Sequence, residues 1–178
     1  MLKLLLTFWL ASLLASALSG PTPKRRDANT CADPTLAEVW LQAYSPSQKA
    51  HAIDEAADFA TAVDNGADWQ IQKAEFIAWK TPQEFTVPLY VLNNPTTQDF
   101  IYIMSTDGTV PQASGFNTQG IVGYVYPTQT CGSVPLFALF QDTFGDHWHT
   151  TSVPERESFI RTGWIDSGTV AFVLPLPS

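Results

Sequence analysis

Internal repetition is the feature that most constrains the fold of this 178-residue chain. Residues 87–92 (VPLYVL) recur 47 positions later as residues 134–139 (VPLFAL). A glycine–aromatic pair followed five positions later by a second glycine occurs at residues 115–120 and again at residues 163–168. Residues 39–44 (VWLQAY) begin a fainter, earlier copy. Units of this length each contribute one supersecondary element to a shared core, so we predict a single repeat-built domain.

The repeats set the predicted domain boundaries. We expect the domain at residues 27–178, with units at about residues 35–82, 87–128 and 134–175. After removal of an N-terminal segment, a chain of this size is long enough for one hydrophobic core.

Within a unit, the apolar pattern changes from strand to helix and back. β-branched and aromatic runs with an edge proline are typical of strands. Residues 152–155 (SVPE) have the serine, proline and glutamate of a helix start with a capping box, and Phe159 and Ile160 are expected to face inward. Asp54 is predicted to cap the helix of unit one, whereas residues 107–111 (DGTVP) leave little room for one in unit two.

These patterns together predict the fold class. We expect an α+β fold of about three strand–strand–helix–strand repeats, with pseudo-threefold character, mostly antiparallel sheet and one disulfide.

The first 26 residues are predicted to direct export. Lys3 precedes the apolar residues 4–14, and residues 15–17 (ASA) suit signal peptidase, so residues 1–17 are predicted to be a signal peptide. A membrane span would need about 20 apolar residues, and this run ends earlier. Residues 18–26 end in a basic cluster and are predicted to be a propeptide-like segment, with an unprocessed tail as the alternative. We therefore expect a secreted, extracellular protein.

The charge of the processed chain excludes some partners. Removal of residues 1–26 leaves five Lys and Arg against 17 Asp and Glu, a net charge of −12. Nucleic acid binding needs clustered basic residues, so we predict no nucleic acid partner. No second long apolar run is present, so we predict no membrane insertion.

Two cysteines are predicted to form one disulfide. Cys31 and Cys131 each follow a threonine just ahead of the first strand of a unit. Exported chains mature in an oxidising compartment, where such a pair is expected to be oxidised. The disulfide would join the start of unit one to the junction of units two and three.

Unit three resembles a known repeat family. The family pattern is PLYRLYNPNTGDHFYTTSAAERD…GY..EGIAFYV, and the matching segments here are residues 135–137 (PLF), 145–152 (GDHWHTTS), 155–156 (ER), 163–164 (GW) and 170–172 (VAF). Copies occur in secreted fungal proteins and beside bacterial cell-wall hydrolases. Small mushroom lectins and immunomodulatory glycoproteins of similar size are candidate relatives. The resemblance covers roughly residues 35–175 and implies an accessory, sugar-recognising domain.

Unit three also has the densest cluster of candidate ligand-binding residues. We predict a site formed by Asp146, His147, Trp148, His149, Glu155 and Arg156. The aspartate and first histidine would bind hydroxyl groups, and Trp148 or His149 would offer a ring face. The alternative is a purely structural histidine. A His pair two residues apart is half of a metal site, but no third ligand is evident, so we predict no metal and no cofactor.

The tryptophans favour sugar binding over catalysis. Trp148, Trp69 and Trp40 are candidates for surface stacking, and Trp164 is assigned to the core. No nucleophile elbow is present, and paired carboxylates have no recognisable signature here, so no catalytic residue is assigned. We predict a lectin-like protein that binds glycans or glycoproteins. The alternatives are a protein-binding effector or immunomodulator and, third, an extracellular hydrolase.

Overall fold

A computed structural model describes residues 30–177. After a short 3-10 helix (Pro34–Leu36), its elements are β1 (Glu38–Ser45), β2 (Ala50–Glu55), α1 (Ala56–Asp64), β3 (Gln70–Ala78), β4 (Val87–Asn93), β5 (Phe100–Met104), β6 (Asn117–Val125), β7 (Val134–Gln141), β8 (Asp146–Thr150), α2 (Val153–Arg161) and β9 (Ile165–Val173). The predicted signal peptide and basic segment lie outside the described residues.

The nine strands form three sheets of identical order. Each sheet has three antiparallel strands, with orders β2-β1-β3, β5-β4-β6 and β8-β7-β9, so the first strand of every unit is central. The predicted mostly antiparallel sheet is confirmed. The strand–strand–helix–strand order holds for units one and three only, because residues 105–116 of unit two contain no helix.

The three units share one core. Isolated β-bridges link the three closing segments in pairs, at Ile77↔Leu174, Trp79↔Tyr124 and Tyr126↔Phe172. The main cluster of buried apolar residues draws on every unit and includes Trp40, Ile53, Phe76, Leu89, Tyr102, Val125, Leu136 and Val173. The units therefore bury their apolar faces against each other.

The surface position expected for Trp40 is wrong. Its side chain is 1% exposed and stacks on Phe76 with ring centroids 5.8 Å apart. Gly123 of unit two makes room for it, since a Cβ there would lie 2.5 Å from the Trp40 ring. The missing side chain lets this ring fill the junction between units one and two.

One hairpin turn is repeated in all three units. Lys49, Gln98 and Gly145 adopt the left-handed conformation, with φ of 56°, 65° and 66°. Their N–H groups donate to the carbonyl oxygens of Ser45, Asn94 and Gln141 at 2.7, 2.8 and 2.8 Å. The residues that follow each turn therefore enter the second strand at equivalent positions.

The two helices begin differently. The Ser152 hydroxyl accepts from the Glu155 N–H at 3.2 Å, so the predicted serine cap is confirmed. The reciprocal half of the capping box is absent, because the Ser152 N–H donates to the Thr150 hydroxyl instead. The Asp54 cap is wrong: Glu55 is the N-cap of α1, without a side-chain cap bond. Ile160 is 41% exposed and does not face inward.

The predicted disulfide is present. Cys31 and Cys131 are bonded across 100 residues of sequence. None of the helices within residues 30–177 is long and apolar enough to cross a membrane.

Candidate functional site

Asp146, the first residue of the predicted site, joins two units. One carboxylate oxygen accepts from the His51 backbone N–H at 2.9 Å, and the other lies 2.6 Å from His51 Nδ1. Asp146 is 5% exposed. Both oxygens are therefore engaged by unit one, and the carboxylate is not free to bind ligand hydroxyls.

His147 has the same arrangement at the next junction. Asp99 of unit two accepts from the His147 backbone N–H at 2.8 Å and lies 2.7 Å from its Nδ1. At the junction of units one and two, the repeated turn places Ala50 and Phe100 at the corresponding positions. Neither the carboxylate nor the imidazole is present at these two positions, so this junction has no aspartate–histidine bond.

The structure separates Trp148 and His149. His149 is 1% exposed, and its ring meets the edge of Tyr102 at 4.8 Å. Burial, followed by the nearby His147 and His51, lowers the pKa of His149 well below 6.5. His149 is a core residue in this fold. Trp148 is half-buried and stacks on Phe159 at 5.0 Å.

Glu155 and Arg156 are occupied by protein partners. Glu155 accepts from Lys73 Nζ at 2.6 Å and from the Thr150 hydroxyl. Burial favours a higher pKa for Glu155, but these hydrogen bonds outweigh it and lower the pKa. Arg156 pairs with Asp166. The six predicted residues are thus spread over two unit junctions, the core and the α2 surface.

A cleft between units three and one brings together a different set of residues. Its volume is about 530 Å³, and it is lined by Tyr44, Pro46, Lys49, His51 and Gln72 from unit one and by Phe144, Asp146 and Trp164 from unit three. Of the predicted site residues, only Asp146 lines this cleft, and it bonds His51 there.

Aromatic rings form much of the wall of this cleft. Tyr44 lies 4.7 Å from the His51 ring. Trp164 is fixed by an edge contact with Phe159 at 4.8 Å, yet it is half-buried, so it also reaches the cleft instead of being confined to the core. Phe144 is 70% exposed. This phenyl ring lies on the turn before β8, and most of its surface is open to a ligand.

The polar groups of the cleft have a fixed orientation. Asp146 holds His51 Nδ1, so the ring directs Nε2 towards Gln72, whose amide nitrogen is 3.5 Å away. Gln72 lies at a register shift between β1 and β3, and such bulges redirect side chains. The arrangement offers an amide and an oriented imidazole nitrogen, which can exchange hydrogen bonds with ligand hydroxyls.

The corresponding cleft between units one and two has another character. Its volume is about 290 Å³, and Phe100 and Gln119 occupy the places of His51 and Gln72. Burial, with the neighbouring Asp58, raises the pKa of Asp54 in its wall to about 7. This cleft has no imidazole and is the natural internal comparison for the first.

Within residues 30–177, no group of three or more His, Cys, Asp or Glu side chains could hold a metal ion.

Sequence reasoning missed Tyr44, Lys49, His51, Gln72 and Phe144 as members of one site. Tyr44 was recognised only as the end of the faint first copy of the repeat. The available signal was the aligned turn, since Lys49 and His51 stand where Gly145 and His147 stand in unit three. Alignment alone does not show that a residue of one unit faces the next.

Comparisons with known proteins give one match. A family model described as a domain of unknown function (DUF5648) matches residues 39–174. No curated protein matches the chain, and no solved structure does.

Proposed function

This chain belongs to the family described as a domain of unknown function (DUF5648), and we propose that it is a secreted carbohydrate-binding protein without catalytic activity. Its ligand would occupy the cleft between units three and one. Export is inferred from residues 1–26, and sugar recognition accords with the resemblance of unit three to accessory repeats of secreted proteins.

The composition of the cleft wall carries the proposal. Tyr44, Phe144 and Trp164 offer ring faces around a cavity that also contains the Gln72 amide and His51 Nε2. A pyranose has C–H groups on a flat ring and hydroxyls at its edge, so it needs both aromatic faces and planar polar groups. Concave sites with mostly apolar walls and a few oriented polar groups are typical of small-ligand binding.

The matching sheets and turns support a pseudo-threefold arrangement in which three junctions could each form a cleft. The junction of units three and one combines the aspartate–histidine pair with a large cleft. The junction of units two and three has the pair as well, whereas units one and two have Phe100 in place of the histidine. We therefore place the sugar site at the junction of units three and one, where the pair and the large cleft occur together.

A glycan array followed by titration calorimetry tests the proposal. Gln72→Ala is expected to weaken binding of the best array glycan about tenfold, because it removes a hydrogen-bonding partner of the sugar. The matched control is Gln119→Ala, at the equivalent register shift of unit two, which is expected to bind like the parent.

The result also distinguishes the alternative functions. Equal loss of affinity in Gln72→Ala and Gln119→Ala would contradict the placement of the site in this cleft. An array without any bound glycan would overturn the proposal, and capture of one specific protein would then favour the effector interpretation.

A further inference from the structure

The charge of the cleft bears on the kind of sugar it accepts. Residues 30–177 contain 16 Asp and Glu but only five Lys and Arg. Four of the five cations are paired with carboxylates, namely Lys73, Lys80, Arg156 and Arg161. Lys49 has no carboxylate partner within the described residues and lines the cleft. Among the Lys and Arg residues of 30–177, the one without a carboxylate partner therefore lies at the proposed ligand site.

The carboxylate in the cleft is engaged by His51 and forms no ion pair with Lys49. Of the described residues that line the cleft, only Asp146 is acidic, and both its oxygens bond His51. The open polar groups are then the Lys49 ammonium, the Gln72 amide and the imidazole. Among these groups, Lys49 has a full positive charge without a paired carboxylate in the described residues, and such a group is complementary to an anion.

We propose that the cleft selects a sugar with an acidic group, whose anion binds the Lys49 ammonium while its ring packs against the aromatic wall. This inference rests on the carbohydrate-binding function proposed above and specifies its ligand class. The excess of acidic residues over the whole domain repels extended polyanions. The expected ligand is therefore a single acidic sugar residue, at the end of a glycan, and not a polyanionic chain.

Unit two supplies the substitution that tests the role of Lys49. Lys49 has φ of 56°, and Gln98 occupies the equivalent turn position of unit two with φ of 65°. Lys49→Gln therefore removes the charge and introduces a residue that this protein already places in the same backbone conformation. Arg161→Gln is the control for net charge, because Arg161 is exposed and lies outside the cleft.

The experiment is a calorimetric titration with three oligosaccharides. They share one core and end in glucuronate, in glucose formed by reduction of that carboxyl group, or in sulfated glucose. The parent and Arg161→Gln are expected to bind the glucuronate form about tenfold more tightly than the glucose form, as for a hydrogen bond to a charged group. Lys49→Gln is expected to bind these two forms equally. The sulfated form shows whether the preference is for a carboxylate or for any anion.

Three results would overturn the inference. Equal binding of the three forms by the parent would contradict selection for an acidic group while leaving sugar binding intact. An unchanged preference in Lys49→Gln would place the anion elsewhere. Absence of binding to any form and to any array glycan would overturn the carbohydrate-binding function itself, and the inference with it.

Discussion

Residues at equivalent positions of the three units have different roles in the core. Ile53, Tyr102 and His149 occupy one such position. The Tyr102 hydroxyl bonds the Ile53 backbone, lying 2.6 Å from its N and 2.8 Å from its O. His149 Nε2 is buried and has no hydrogen-bond partner in the described residues. A buried polar atom without a partner costs free energy of folding, and burial also disfavours the charged form of the imidazole.

Replacement of His149 by Phe is expected to reduce the acid sensitivity of folding. Burial lowers the pKa of His149 in the folded protein well below 6.5, so the unfolded chain binds a proton more readily. The free energy of unfolding consequently falls as the pH drops below 6.5. Urea denaturation of parent and His149→Phe between neutral pH and about pH 5 measures the difference. His51 and His147 are present in both proteins, so the comparison isolates the replacement at position 149. Parallel pH profiles would contradict the role assigned to His149.

Among the elements, α2 is the better-capped helix. Its N-cap Ser152 bonds the Glu155 N–H, whereas α1 has no side-chain cap bond. The sequence predicted this cap because serine, proline and glutamate form a local pattern. The predicted Asp54 cap failed because that carboxylate accepts instead from the adjacent Glu55 N–H, and helix α1 begins one residue later than expected.

Ser152→Ala is expected to lower the free energy of unfolding by about 1 kcal/mol, because it removes the hydroxyl that accepts the Glu155 N–H. Ser158→Ala is the matched control, since Ser158 is exposed inside the same helix and alanine favours helix. Chemical denaturation followed by circular dichroism compares the two. Equal midpoints for Ser152→Ala and the parent would show that packing alone holds the start of α2.

At the scale of the whole molecule, contacts between units complete the fold. Asp99 and Asp146 bond histidines 48 and 95 residues away, and the disulfide spans 100 residues. In the chain-entropy model, a disulfide that closes a loop of that size stabilises the folded protein by about 4 to 5 kcal/mol. The bond between Asp146 and His51 also orients the imidazole of the cleft. One of the contacts that join the units therefore also positions a group of the proposed site.

Removal of the Asp146 carboxylate is expected to destabilise the protein. Asp146→Ala leaves the His51 backbone N–H and ring without their acceptor, and loss of the partner of buried hydrogen-bonding groups costs about 3 kcal/mol. Asp142→Ala, in the same turn but exposed, is expected to change stability little. The midpoints of urea denaturation of the parent and the two variants measure these differences in stability. If both variants unfold like the parent, Asp146 does not hold units three and one together.

The sequence predicted features that depend on a local pattern of residues. It did not predict features that depend on contacts between different units. Repetition indicated three antiparallel units, and the cysteine positions indicated the disulfide. Asp146 and His147 are neighbours in sequence, which suggested a shared site, but each binds a different unit. Trp40 looked like a surface residue because nothing near it in sequence shows that Gly123 makes room for its ring. The cleft residues come from two units, and no local pattern relates them.

Mapping a bound glycan by nuclear magnetic resonance tests the location of the site most directly. The best array glycan would be titrated into isotope-labelled protein while side-chain N–H signals are followed. The indole signal of Trp164 and the amide signal of Gln72 are expected to shift with ligand, because both side chains line the cleft between units three and one. Trp69 and Gln119, which line the cleft between units one and two, are expected to stay unchanged. Shifts centred on Trp69 and Gln119, or unchanged Trp164 and Gln72 signals at saturation, would contradict the proposed site.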